Sequence, residues 1–295
     1  MRCSRQVGLD FCGGRRQGAE VKRIPLEDNF NDVIGKAQRG LQLGDDQLAR
    51  KAGISVADLN RAKEGHFDES IVRKLAPALG LRSESLVALG RQAWYPKEPG
   101  EVPGLASFNT PYGDITVNSF LIWDPKSDNG VCFDTGADSS EMLKFAAHRK
   151  IRIQMILLTH THPDHIADLE RLKKLTEAAA FVSKNEPTAG AETFEPGHKF
   201  VVGALQIETR QTSGHSRGGV TYVVGGLPRR IAVVGDSMFA ASMGGGMVSY
   251  QDALDNNGQK ILTLPDDTIL CPGHGPLTTV GEEKVHNPFF PNFGK

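Results

Sequence analysis

Between Met155 and Asp168 an apolar run, Met155-Ile156-Leu157-Leu158, ends abruptly in Thr159-His160-Thr161-His162-Pro163-Asp164-His165. Four metal-competent side chains, His160, His162, Asp164 and His165, fall within six consecutive positions. Imidazole and carboxylate are the groups that divalent zinc accepts. The apolar run reads as a buried strand, and a strand end holds ligands rigidly. On an extended segment His160 and His162 point to the same side, because side chains alternate with period 2. Asp164 and His165 follow the proline, where the chain should turn into a helix carrying Leu169, Leu172 and Leu175. One short segment thus offers two groups of ligands to two neighbouring cation positions. The rest of the chain has to be organised around this strand end.

Three further ligand candidates lie downstream. His215 sits in Thr212-Ser213-Gly214-His215-Ser216, Asp236 ends the apolar run Ile231-Ala232-Val233-Val234, and His274 lies in Cys271-Pro272-Gly273-His274-Gly275. Each follows a strand pattern and has a glycine beside it, which lets backbone approach a site closely. From about residue 105 onward strand patterns and helical patterns alternate. Ile115–Trp123, Val131–Phe133, Ala179–Val182, Leu205–Thr209, Val220–Val224, Ile231–Val234 and Thr268–Leu270 read as strands, with a helix through Met142, Phe145 and Ala146 and another near Ala253–Leu262. Such a pattern predicts an α/β (α+β) chain, a sheet sandwich with helices outside.

The 295 residues suffice for about two domains. A net charge of −1 excludes a globally basic nucleic-acid binder, and no apolar run approaches the roughly 18 residues of a membrane span. The four cysteines, Cys3, Cys12, Cys132 and Cys271, show no paired metal spacing; Cys132 and Cys271 read as buried thiols. With no need for disulfides, a reducing cytoplasm fits. Residues 1–25 form a basic, aperiodic N-terminal segment expected to be flexible, without the apolar core of a secretory signal. Residues 26–92 carry successive short helical patterns. Phe30, Val33, Ile34, Ala37 and Leu41 make one apolar face; Asp45 is the expected N-cap of a helix burying Leu48, Ala49 and Ala52. Ser55 opens a helix with Ala57, Leu59 and Ala62 inward, Asp68 opens another through Leu75 and Leu79, and Ser83 the last, with Leu86, Val87 and Leu89. Residues 93–104, with three prolines and two glycines, read as a linker.

Two resemblances follow from these residues. Gln47-Leu48-Ala49-Arg50-Lys51-Ala52-Gly53-Ile54-Ser55, then Leu59, Glu64-Gly65 and Leu75 to Leu79, resemble a repressor-type helix-turn-helix, so that 26–92 would be a small all-α domain preceding the rest. The resemblance implies a recognition helix from Ser55 to about Lys63, with Ser55, Asn60, Arg61 and Lys63 outward toward DNA. A two-half-site operator would require a homodimer. Against ten Lys and Arg the stretch 28–92 sets nine Asp and Glu, a balance of +1, whereas a DNA reader usually shows a basic face. A scaffold, oligomerisation or substrate-lid role is the alternative for this segment.

His160-x-His162-x-Asp164-His165, then His215, Asp236 and His274 in that order, resemble the metallo-β-lactamase superfamily over about 105–291. The resemblance implies an αββα sandwich, with 105–295 as the hydrolase domain, and a two-metal site at one edge. It assigns His160, His162 and His215 to the first metal, Asp164, His165 and His274 to the second, and makes Asp236 the bridge. Asp134, in Phe133-Asp134-Thr135-Gly136, matches a supporting position. Two divalent metal ions are expected, zinc first, although histidine and carboxylate also suit iron and manganese. Such a pair activates water near neutral pH and polarises a carbonyl. Asp164 would also orient the nucleophile or shuttle a proton, and Ser213 and Ser216 are not needed as nucleophiles. Asn118 to Ile122, Gly235 to Phe239, Leu264 to Thr268, and Pro272 to Pro276 with Asn287-Pro288-Phe289 look most like the glyoxalase II branch. That implies hydrolysis of a thioester or ester of a small-molecule substrate, as in a hydroxyacylglutathione hydrolase. The chain stops soon after His274, without that branch's C-terminal helical domain, and Ser242-Met243-Gly244-Gly245-Gly246 lacks a basic residue for a glutathione carboxylate. The alternatives are a DNA-binding regulator with a metal-dependent sensor domain, and a lactonase or β-lactamase-like hydrolase.

Overall fold

The structure, a computed structural model, describes residues 23–293. The basic segment expected over 1–25 therefore lies, up to residue 22, outside the described residues, as do Cys3 and Cys12. The chain opens with five short helices, α1 (Phe30–Gly40), α2 (Asp45–Ala52), α3 (Val56–Lys63), α4 (Glu69–Ala78) and α5 (Ser83–Gly90). Ser55 and Asp68 cap α3 and α4 by accepting backbone N–H groups, as their positions predict. Three details differ from the periodicity. Gly44 rather than Asp45 is the N-cap of α2, because the Gln47 side chain reaches back to the Gly44 N–H. Leu41 lies past the end of α1 and is 40% exposed, and Ala57 is exposed on α3.

Two six-stranded sheets follow. The first has the order β1 (Leu105–Tyr112), β2 (Ile115–Asp124), β3 (Asn129–Phe133), β4 (Arg152–Leu157), β5 (Ala179–Ser183) and β6 (Glu192–Phe194). The second runs from β7 (Lys199–Val202) through β8 (Leu205–Gln211), β9 (Val220–Gly225), β10 (Ile231–Gly235) and β11 (Ile269–Pro272) to β12 (Thr278–Thr279). β3–β4 and β10–β11 pair in parallel, so the ends of β4, β10 and β11 can deliver ligands to one edge. Alternation along each strand builds two faces. Phe120 and Ile122 of β2, with Val131, Phe133 and Leu157, meet Ile207, Tyr222, Val224, Ile231 and Val233 between the sheets. Their neighbours Leu121, Cys132 and Ile156 face outward against α6 (Ser140–Arg149) and α8 (Leu169–Thr176) through Met142, Leu169 and Leu172. Each such side chain buried completely is worth about 1.5–3 kcal/mol.

The outer face of the second sheet shares one core with the N-terminal helices. Ala232, Val234 and Leu270 belong to the same buried cluster as Val33, Ile34, Leu48, Leu75 and Leu86, together with Phe289 and Phe290 near the C-terminus. Helices α9 (Tyr250–Asn256), extended by a π-helical turn at Asn257–Ile261, and α10 (Val280–His286) complete that layer. The joint is polar as well. The Arg82 guanidinium donates to the backbone carbonyls of Lys284, Val285, Phe290 and Phe293, and its N–H donates to Pro288. Asp28 accepts from both Lys36 and Ser242. No described residue lies in a helix or strand between Gly90 and Leu105; Trp94 stacks on His286 and the Lys97 N–H donates to Glu282. The helical segment is thus bound along its length to the sandwich.

Candidate metal centre

All seven sequence candidates come together at one edge of the sandwich. His160 and His162 follow β4, and Pro163 starts the short helix α7 (Pro163–Ile166), which carries Asp164 and His165. His215 comes from the loop between β8 and β9, Asp236 from the end of β10 and His274 from the end of β11.

 

Proline supplies the fixed φ of that first helical turn and lacks only a donor that the turn does not use. The ligand atoms form two groups: one atom each from His160, His162, His215 and Asp236 lie within 4.8 Å of one another, and so do atoms of Asp164, His165 and His274. Asp236 stands between the groups. Its Oδ2 is 3.4 Å from His215 Nε2, 3.5 Å from His274 Nε2 and 4.0 Å from His160 Nε2, while its Oδ1 is 3.2 Å from His165 Nε2. Asp164 Oδ2 lies 3.2 Å from His274 Nε2 and 3.6 Å from His165 Nε2.

The outer nitrogens of the rings are held by oxygen. His165 Nδ1 contacts Asp134 Oδ2 at 2.8 Å, His274 Nδ1 contacts the Thr116 carbonyl at 2.6 Å, His215 Nδ1 contacts the Gly245 carbonyl at 3.0 Å, and His160 Nδ1 contacts Thr159 Oγ1 at 3.0 Å. Anchoring one nitrogen turns Nε2 inward and sets the tautomer. Asp134 sits in the left-handed region at φ 54°, a conformation of about 1–3 kcal/mol that its bonds to Thr159 N, Thr159 Oγ1 and His165 hold in place. Sequence reasoning named Asp134 but not Thr116 or Gly245, whose backbone carbonyls carry no residue-type signal. Glu186 was missed too: it accepts from the Thr161 N–H and hydroxyl and from the Gly218 N–H, tying the His160–His162 loop to the loop after His215. Asn118 does the same for His274, donating its side-chain N–H groups to Pro272 and Gly275 and its backbone N–H to Gly273.

The donor set fits divalent cations. His160 Nε2, His165 Nε2 and Asp236 Oδ1 are buried and complete no hydrogen bond among the described residues, and all three face the centre. Buried polar atoms are rarely left so unless an ion or water completes them. The electrostatics agree. Burial alone would depress the His165 imidazolium, but Asp236 and Asp134 reverse this and hold it up to about 10. Burial likewise opposes charge on His274, yet Asp164 and Asp236 hold it up to about 11. His160 is pushed down by burial and by the charge on His165, and His215 chiefly by burial. The carboxylates thus keep positive charge on one half of the centre when only protons supply it. Cations must displace those protons. Loading the metal-free protein with zinc near pH 7 is therefore expected to release protons from His165 and His274, so that affinity weakens as pH falls. Calorimetry in two buffers of different ionisation enthalpy reads the release; an identical heat in both would contradict it.

The centre opens into a cleft of about 540 Å³ lined by His215, Asp236, His274, Phe239, Gly244 to Met247 and, from the N-terminal segment, Glu27, Lys36, Arg39 and Gly40. A second concavity of about 420 Å³ along β7 and β8 is remote from all seven ligands. Cys132 and Cys271 are fully buried, and burial pushes both thiols up, away from reactive thiolates.

Known proteins place this arrangement. A family model described as the metallo-beta-lactamase superfamily matches residues 112–274. The chain is 30% identical to the probable metallo-hydrolase YqgX of Bacillus subtilis (strain 168), over 62% of this chain and 96% of that protein. It is 25% identical to the hydroxyacylglutathione hydrolase GloC of Haemophilus influenzae, over 58% of this chain and 92% of that one. The crystal structure of the B3 metallo-beta-lactamase BLEG-1 superposes with a TM-score of 0.53 at 26% identity, covering 63% of this chain and 99% of that chain. With two stacked sheets flanked by helices and a family match over more than half of its length, the chain belongs to the metallo-beta-lactamase superfamily.

Proposed function

We propose that this protein is a two-metal hydrolase of thioesters. The observation that carries the reading is the pair of candidate ligand groups meeting at Asp236, with the buried, unpartnered Nε2 atoms of His160 and His165 turned toward it and His215, Asp236 and His274 lining an open cleft. His160, His162 and His215 would hold one cation, Asp164, His165 and His274 the other, and Asp236 would face both. Zinc suits this donor set, and iron and manganese accept it as well. Two divalent cations, when bound, supply a water ionised near neutral pH and a positive charge for the carbonyl oxygen. The chain's own residues do the rest. Asp164, buried between His165 and His274, is placed to orient the attacking water and to hold its proton. Phe239 and Met247 give the cleft an apolar side for an acyl chain. The named activity of the GloC relative supports a thioester before a lactone or a β-lactam.

A panel of thioester, ester, lactone and β-lactam substrates, offered to the metal-loaded protein, tests this. Thiol release is expected with kcat/KM on the order of 10⁴ M⁻¹s⁻¹ or more, at least about tenfold above the other classes. A preference for lactone or β-lactam would overturn the thioester reading and leave the hydrolase. The DNA-binding alternative retains one supporting feature: of its four outward candidates, Ser55 at the cap of α3 and Asn60 and Arg61 on it are exposed, while Lys63 is half-buried and paired with Asp45. The helix-turn-helix reading of α1–α5 rests on that face and on the packing residues beneath it.

A further inference from the structure

The glycine loop of the cleft brings no charged side chain to a substrate. A Cβ on Gly244 would lie 1.9 Å from the Asp236 carbonyl oxygen, and one on Gly246 would lie 2.4 Å from Tyr250 Cα. The loop therefore passes between Asp236 and α9 as bare backbone, and Met247 and Phe239 beside it are apolar. Outside the metal centre, every charged side chain lining the cleft comes from residues 27–39. Glu27 is near His274, whose charge acts on it. Lys36 is already engaged: its ammonium donates to Asp28 and to the Met243 carbonyl at 2.9 Å and lies 5.1 Å from the centre of the Phe239 ring. Arg39, one helical turn further along α1, is exposed and makes no ion pair or side-chain hydrogen bond among the described residues. Its position is set rather than loose. Gly40 lets the end of α1 lie flush on Tyr250, where a Cβ would come within 2.2 Å of the ring. The family match begins at residue 112, so this wall is an addition to the matched region.

We propose that α1 is the specificity wall of the active site and that Arg39 binds an anionic group, of carboxylate type, on the substrate. This rests on the thioester-hydrolase reading for the identity of the reacting bond, but not for the anion site. A guanidinium with its fork free offers a bidentate grip on a carboxylate, and with Lys36 engaged by Asp28 and the floor of Phe239 and Met247 apolar, Arg39 is the cation available to an anion in the cleft among the described residues. The cleft then selects acyl thioesters bearing a negative charge.

Two pairs of thioesters test it on the metal-loaded, full-length protein. Within each pair one carboxylate is replaced by its methyl amide, on the thiol portion in one pair and on the acyl portion in the other. The wild type is expected to prefer the carboxylate of at least one pair by about five- to tenfold in kcat/KM, through KM. Arg39→Ala should erase that preference, Arg39→Lys should keep part of it, and Arg39→Glu should invert it. Metal content and Tm report whether each variant is folded. Separately, ligand-observed NMR compares benzenesulfonate with the uncharged methyl phenyl sulfone. The sulfonate should bind the wild type about fivefold or more tightly than it binds Arg39→Ala, with the sulfone showing no such difference. If no thioester is hydrolysed but the sulfonate difference holds, only the thioester reading falls. If neither carboxylate preference nor sulfonate binding changes in Arg39→Ala, the anion site is wrong.

Discussion

Replacing Asp236 by Asn is expected to abolish turnover, by about a thousandfold or more, equivalent to a barrier about 4 kcal/mol higher. The substitution keeps the volume and removes the charge. Among the described residues Asp236 is the one carboxylate within 4.0 Å of His160, His165, His215 and His274 together, and His165, His274 and His160 hold it well below the usual carboxylate range despite its burial. An amide there would present donors to nitrogens that must face a cation, so the first candidate group loses its carboxylate and the second loses the anion beside His165 and His274. Metal content should fall with activity. His162→Ala is the companion variant: His162 is only partly buried, so its removal leaves the core intact while the first ligand group loses a nitrogen. It too should lose activity. A variant of either kind that retains wild-type kcat would remove these residues from the mechanism.

Gly273→Ala is expected to be nearly as severe although it adds a single methyl group. A Cβ at this position would stand 2.1 Å from Asp236 Oδ1, 2.6 Å from His165 Cε1 and 3.2 Å from His165 Nε2. Either ligand must move, and displacements near 1 Å in a catalytic constellation cost about a hundredfold in rate. Overpacking should also lower stability by about 1–3 kcal/mol. The control is Gly225→Ala, where the nearest atom is the Gln206 carbonyl oxygen at 3.8 Å, an ordinary contact. Steady-state rates and thermal melts of the two variants separate steric damage at the centre from the general effect of losing a glycine. Equal rates in both would contradict the close packing of ligands on the β11 end.

The clustering of the seven ligand candidates is legible in the chain because chemistry concentrates there: histidine and aspartate at strand ends, next to glycine, leave a local signal. The sandwich was legible for a similar reason, since β2, β9 and β10 are long apolar runs. What escaped lacks such a signal. β1 carries no clear strand signal, with Pro111 within it, and it stands as an edge strand, where a missing donor is tolerated. β6, β7 and β12 are two to four residues long and take their order from neighbours. A substrate-lid role is among the alternatives for the helical segment, but which of its residues reach the cleft is hidden for a topological reason. The absence of a basic residue between Ser242 and Gly246 argued against an anionic substrate, but Arg39 reaches the cleft from α1, about two hundred residues earlier. Helical periodicity shows that Val33, Ile34 and Ala37 face a core; it does not show that this core is the back of the second sheet.

The central claim is that His160, His162, Asp164, His165, His215, Asp236 and His274 hold two divalent cations that the chemistry requires. Elemental analysis of the purified protein, before and after chelation and after metal is restored, with thioester turnover followed on the same samples, tests it most directly. The account predicts about two equivalents of metal per chain at saturation, loss of turnover with loss of metal, and recovery when zinc, iron or manganese is returned. Full turnover by chelated protein, or no binding of any of these cations at saturation, would contradict it.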